Sequence, residues 1–215
     1  MKKTYLFFVL ALCFTTSLFA GNAMNVRVGF LAPSATDTGF FPGFSYGVNV
    51  DNVVEIGLGF DYFYKNFQDK RYVEFDTTKA GNYIDKAQVT SDITTYYIPL
   101  MGTIRVSVPL DIVVVPYGGI GFGWGLLWED IFIASDETPG SEHNRITDVN
   151  FYHGYNWTIQ LGGKLPLSRN ASLYGETFYN GAKMKKDVKR GSTGITWSEL
   201  DMSGAGLRLG VELKL

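Results

Sequence analysis

The chain has 215 residues, a formal charge of −2 and one cysteine. That length suits one domain, a lone cysteine excludes disulfides within the chain and thiolate metal clusters, and the mildly acidic balance excludes the basic footprint of a nucleic-acid binder. Glycine (25) and aromatic content (16 Phe, 13 Tyr, 4 Trp) is high, yet no stretch beyond the first two dozen residues approaches the ~18 apolar residues of a spanning helix.

In chain order, the first element is a leader. Lys2 and Lys3 precede an apolar run, Tyr5 to Phe14, which has the length of a signal-peptide core and falls short of the ~20 residues a spanning helix needs. Small residues follow at Ser17, Ala20, Gly21 and Ala23. Cleavage after Ala23 places Gly21 and Ala23 at the two small positions, whereas cleavage after Ala20 places Leu18 at one of them. Residues 1–23 are therefore expected to be removed and residues 24–215 to form the folded domain. Cys13 leaves with the leader, which suits passage through an oxidising compartment. The loss of Lys2 and Lys3 takes the formal charge from −2 to about −4.

From Met24 onward the period is two. Residues 25–32 set Val26, Val28 and Phe30 against Arg27 and Gly29. Residues 43–50 set Phe44, Tyr46 and Val48 against Ser45 and Gly47, and residues 53–64 set Ile56, Leu58, Phe60 and Tyr62 against Glu55, Gly57, Gly59 and Asp61. Residues 93–108 set Tyr96, Ile98, Leu100 and Ile104 against Thr95, Thr103 and Arg105. Residues 113–128 set Ile120, Phe122, Trp124 and Leu126 against Gly119, Gly121, Gly123 and Gly125. Residues 151–165 set Trp157, Ile159 and Leu161 against Asn156, Thr158, Gln160 and Lys164. Residues 171–181 set Leu173 and Tyr179 against Ser172, Glu176 and Asn180, and residues 200–215 alternate Leu207, Leu209, Val211 and Leu213 with Arg208, Gly210 and Glu212. A strand puts each set on one face; a helix would scatter it. These are eight strands, with short connections at 51–52, 109–111 and 167–170 and long ones at 33–42, 65–92, 129–150 and 182–199.

Short turns at one end and long loops at the other is the layout of an all-β, eight-stranded antiparallel up-and-down transmembrane β-barrel. Three features favour lipid over water around it. The polar face is glycine-rich with about one charge per strand, which suits a narrow lumen filled by side chains. Its charges balance, with Arg27, Arg105, Lys164 and Arg208 against Glu55, Asp61, Glu176 and Glu212, as a buried ion-pair network requires. Large aromatics gather where strands meet long loops: Tyr62, Tyr64, Tyr96, Tyr97, Trp124, Trp128, Tyr155, Trp157, Tyr179 and Trp197, as in an interfacial belt. Pro99 and Pro116 are awkward within strands.

The stretch Thr95-Tyr96-Tyr97-Ile98-Pro99-Leu100 and the later run Pro116-Tyr117-Gly118-Gly119-Ile120-Gly121-Phe122-Gly123-Trp124 resemble a hairpin of the OmpA/OmpX-like outer-membrane β-barrel superfamily. The resemblance implies location in the bacterial outer membrane after export, contact with outer-membrane lipid and lipopolysaccharide, and handling by the outer-membrane assembly machinery. Such chains usually end in an aromatic residue, whereas Leu215 ends this one.

Little here carries chemistry. The glycines of 118–125 recur at every second position with no helix after them, so they do not make a nucleotide fingerprint, and no cofactor is expected. His143 lies among Asp136, Glu137, Glu142 and Asp148, which reads as solvated loop charge ahead of a cation site. His153 precedes Tyr155 and Asn156; outer-membrane lipid A deacylases have serine where Tyr155 stands, so the nucleophile is missing. Lys183, Lys185, Lys186, Lys189 and Arg190 form a basic loop that would pair with the acidic loop 129–148 or meet lipopolysaccharide phosphates. The expectation is a monomeric, non-enzymatic barrel, its lumen plugged by ion pairs, serving envelope integrity or an external ligand. Narrow solute passage and lipid A modification stand as alternatives.

Overall fold

The computed structural model describes residues 21–51, 53–76, 83–110, 112–134, 145–189 and 195–215, with side chains at all of these except 69–76, 83–90, 133–134, 145–147, 187–189 and 195–197. Its strands are β1 (Asn22–Pro33), β2 (Gly39–Phe40), β3 (Gly43–Asn49), β4 (Val54–Asp61), β5 (Phe63–Asp76), β6 (Tyr83–Ser107), β7 (Val115–Ala134), β8 (Arg145–Pro166), β9 (Ala171–Lys189), β10 (Ile195–Asp201) and β11 (Gly204–Lys214). Three consecutive pairs, β2 with β3, β4 with β5 and β10 with β11, each continue one line of chain, so the eleven strands make eight staves. Every neighbour is antiparallel, and β1 pairs with β11 from Ala23↔Lys214 to Pro33↔Gly204, which closes the ring. This is the all-β, eight-stranded up-and-down barrel that the alternation predicts. Closure leaves no sheet edge within the ring, the condition for β-structure in lipid.

The two faces are inverted relative to a soluble barrel. Leu58 (73% exposed), Phe122 (67%) and Leu209 (69%) stand on the outer wall, while Arg105 (1%) and Glu212 (2%) are enclosed. A soluble barrel would put these apolar side chains in its core.

Three details depart from the sequence reading. The strands run much further toward the long-loop end than the alternation indicates. Most of 65–92, 129–150 and 182–199 is paired sheet, with β7 and β8 in register up to Ala134↔Arg145. Tyr97 points inward and is fully buried, so it does not belong to the aromatic belt. The side chain of Trp197 lies outside the described residues. At the other end β1 begins at Asn22, before the boundary favoured by the small-residue pattern; Ala23 is buried and pairs with both Gly47 and Lys214.

Pro99 has a structural answer. The ladder between the third and fourth staves runs to Phe60↔Leu100 and resumes at Phe63↔Tyr97, so the residue that lacks an N–H sits at the break. On the opposite side of that break Tyr62 N–H donates to the carbonyl of Pro42 at 2.8 Å. Pro116 is the second residue of β7, at the short-turn end.

Candidate functional site

Strand parity brings all eight charged residues predicted for the lumen inside the ring, each at most 9% exposed. They form two chains of two bases and two acids. In the first, Arg27 Nε donates to Asp61 Oδ1 at 2.6 Å and Nη2 to Oδ2 at 3.0 Å. Arg208 Nη1 donates to Asp61 Oδ2 at 3.0 Å, and Arg208 Nε lies 2.7 Å from Glu176 Oε1. The Tyr117 hydroxyl donates to the other Glu176 oxygen at 2.6 Å. In the second chain, nearer the short turns, Glu55 holds Arg105 (3.4 Å) and Lys164 (3.3 Å), and Lys164 also pairs with Glu212. Asn25, Ser45 and Gln160 supply neutral partners to Glu55, Arg27 and Arg208. Charges taken out of water survive only with such pairing, and here every stave of the barrel contributes a member.

Inward glycines make the space. A Cβ on Gly43 would stand 1.8 Å from Asp61 Oδ1; one on Gly119 would meet Gln160 Nε2 at 2.7 Å and Arg105 Cγ at 3.1 Å; one on Gly210 would meet the Tyr174 ring at 2.6 Å. Glycine opposite Arg27, Asp61, Arg105, Glu176 and Arg208 helps eight charged side chains share so narrow a tube.

Above this polar storey the lumen is apolar, which the sequence reading does not anticipate. Leu31, Phe41, Phe63, Tyr97, Leu127, Tyr152, Phe178, Ala182, Met184 and Met202 pack as one buried cluster. Phe41 and Phe178 stack at 5.6 Å, and the Arg208 guanidinium carbon lies 4.1 Å from the centroid of the Phe178 ring, so a cation–π contact joins the storeys. Parity could have found this layer: Phe63, Tyr97, Leu127 and Phe178 occupy the same phase as Asp61, Thr95, Gly125 and Glu176. The plug is thus part ionic and part hydrocarbon.

The basic loop group divides between two faces. Lys183 and Lys185 point outward on β9, 3.5 and 3.7 Å from the Glu199 carboxylate on β10. Lys186 turns inward and donates to the side-chain oxygen of Asn150. The Lys189 side chain, Arg190, His143 and the acids Asp136, Glu137 and Glu142 lie outside the described residues. Lys183 and Lys185 thus meet a carboxylate on the adjoining strand β10, and Lys186 also lies within electrostatic reach of Glu129, the first acid of the stretch that the sequence reading pairs with the basic loop. His153 is on the outer wall, its ring stacked on Trp124 at 5.6 Å, with Tyr155 edge-on to the same Trp124 at 4.7 Å. Trp128 and Phe151, Trp157 and Tyr179, and Tyr64 and Tyr96 form further ring pairs around the wall. At the opposite rim, the Asp51 carboxylate accepts the N–H groups of Val54 (2.6 Å) and Val53 (2.7 Å), which hold it below the usual aspartate range.

No family model matches the chain, and no curated protein matches its sequence. Several solved structures share its fold. The outer membrane protein OprG from Pseudomonas aeruginosa aligns with a TM-score of 0.56 at 12% identity, over 91% of this chain and 96% of that one. A major outer membrane protein from Thermus thermophilus gives 0.51 at 12% identity, over 90% and 99%. Neisserial surface protein A gives 0.50 at 14% identity, over 91% and 96%. The chain has the fold of the small outer-membrane β-barrels, the OmpA/OmpX-like architecture that its β6–β7 hairpin resembles.

Proposed function

We propose that this chain is a non-enzymatic surface protein of the bacterial outer membrane, in which a plugged barrel holds a β-sheet out to an external partner. The observation that carries the reading is the mismatch between closed ring and full strand length. From Val115 to Trp124, β7 climbs roughly 23 Å at ~3.3 Å per residue and ~40° tilt, close to the ~25 Å apolar band of outer-membrane barrels. The β7–β8 pairing then continues from Gly125 to Ala134, whereas the seam after Pro33↔Gly204 ends with the Ser34 and Ala35 N–H groups donating to the carbonyls of Ser203 and Asp201. Among the described residues the sheet is open beyond this point: above Asp201 β10 pairs only with β9, and β5 pairs with β6 on one side and through the single rung Tyr64↔Phe40 on the other. Unpaired strand edges held clear of the membrane are templates for an extended segment of another protein.

The same reading includes export, removal of the leader, insertion by the outer-membrane assembly machinery, contact with lipopolysaccharide at the belt, and a monomeric barrel. Solute passage is the weaker alternative, because Arg105, Tyr97, Phe41, Phe63 and Leu127 each fill the lumen with almost no exposed area. Lipid A hydrolysis would need a nucleophile beside His153, and its stacking partner on the wall is Trp124.

The test is fractionation of cells with gel mobility read before and after boiling, followed by lysine labelling of intact cells with a membrane-impermeant reagent. The proposal expects the chain in the outer membrane, a faster-migrating unboiled form, and modification of Lys183 and Lys185. A soluble periplasmic protein of unchanged mobility would overturn it.

A further inference from the structure

The turn between β6 and β7 differs from the other two at its end of the barrel. It reads Val108-Pro109-Leu110-Asp111-Ile112-Val113-Val114, and its Val108 (48%), Leu110 (49%), Ile112 (57%), Val113 (77%) and Val114 (46%) are exposed. Turns ordinarily carry side chains that bond the backbone or water. The Asp51 turn does so, and in the turn after β8 the Ser168 hydroxyl accepts the Asn170 N–H. Five aliphatic side chains in one short turn satisfy no such need. They make an apolar patch that asks for a cover.

Two observations say what the cover is. First, the patch continues the outer wall. Ile104 and Val106 face outward on β6 and run into Val108, and Val114 leans against β8, where a Cβ on the outward Gly163 would come within 2.6 Å of Val114 Cγ1. Second, the two rims are unequal. Outer-membrane barrels hold their depth with aromatic girdles at both interfaces. Here the long-loop rim carries the Trp, Tyr and Phe pairs, while at the short-turn rim the outward residues of the last rungs are mostly aliphatic among the described residues, with Val48, Ile56, Val106, Leu173 and Leu213 beside the single aromatic Tyr46. By the rise of β7, the turn begins roughly where the ~25 Å apolar band ends.

We propose that the turn presenting Val108, Leu110, Ile112, Val113 and Val114 dips into the membrane, where these side chains lie in the boundary between acyl chains and headgroups of the periplasmic leaflet and fix the barrel's depth beside a lower rim sparse in aromatics. The proposal rests on the outer-membrane reading above. Its partner is the phospholipid surface itself, through the same burial of apolar area that holds interfacial segments in a bilayer.

The test uses the mature chain folded into phospholipid vesicles, with a polarity-sensitive fluorophore on Val113→Cys, or on Ile112→Cys if the first variant folds poorly. Gel mobility before and after boiling verifies the fold. The expected result is blue-shifted emission, quenched on the order of two-fold by lipids with a nitroxide near the headgroup and hardly at all by aqueous iodide. Red emission with iodide quenching would overturn the proposal. Blue emission that ignores nitroxide lipids would also overturn it, since protein would then cover the turn. A parallel label on Leu161→Cys, on the outer wall, separates the two readings. If both labels report water, the membrane barrel itself fails; if only Val113 does, the dipping turn fails alone.

Discussion

A methyl group at Gly43 would meet both halves of one ion pair. Its Cβ would stand 1.8 Å from Asp61 Oδ1 and 2.9 Å from Arg27 Nε, the atoms that bond each other at 2.6 Å. Gly43→Ala must therefore lever Asp61 away from Arg27, and a disrupted buried pair costs about 3 kcal/mol or more. Urea unfolding followed by tryptophan fluorescence should show that loss. Gly21→Ala, which has nothing within 4 Å of its Cβ, should leave the midpoint unchanged. At the opposite extreme of exposure, Asp51 is held below the ordinary aspartate range by the amides of Val54 and Val53. A carboxyl whose folded value is depressed stabilises the fold above its unfolded value, and that contribution disappears as pH falls through the folded one. The turn at 51–54 should then loosen only in strong acid. An NMR titration should show the Asp51 carboxyl with a midpoint below that of a free aspartate, and the Val53 and Val54 amides moving with it.

The first strand makes a prediction about processing. Asn22 and Ala23 pair with Val48 and Gly47, and Ala23 is also opposite Lys214. Cleavage after Ala23 would strip those rungs from the seam that closes the ring; cleavage after Ala20 would keep them. The intact mass of the mature protein should accordingly correspond to a start at Gly21, and a start at Met24 would contradict this. The small-residue pattern points the other way because it reads only the leader's side of the junction. Elsewhere the elements are legible wherever alternation is: all eight staves, the closed ring and the inward direction of the eight paired charges follow from a period of two, whereas Lys186, read as part of the surface loop, turns inward. Three things are not legible. Strand length beyond the belt is hidden because both faces there mix polar and apolar residues, as Lys65-Asn66-Phe67-Gln68 illustrates. The apolar upper storey is hidden when an inward face is equated with a polar one, although Tyr97 and Leu127 hold the inward phase. Pro99 looks out of place because its tolerance depends on a break in a neighbouring ladder far back along the chain, which no local pattern reports.

At the scale of the molecule the lumen is a two-storey plug, ions below and hydrocarbon above. An ion crossing it would have to leave a paired charge layer and then enter a dry aromatic one, each a separate barrier. Purified protein in planar bilayers should give no stable conductance, and steady open levels from homogeneous protein would contradict the plug. The charge chains also bear on how the molecule can be put together. Arg208 and Glu212 both belong to β11, the last strand to be made. Without it, the chain of Arg27, Asp61 and Glu176 carries one surplus negative charge, and the chain of Arg105, Glu55 and Lys164 one surplus positive charge. The final stave delivers a guanidinium to the first, across 147 residues to Asp61, and a carboxylate to the second. Seven staves without the eighth would hold two opposite, unmatched ions facing the interior, a costly arrangement away from water, and docking of the eighth would neutralise both.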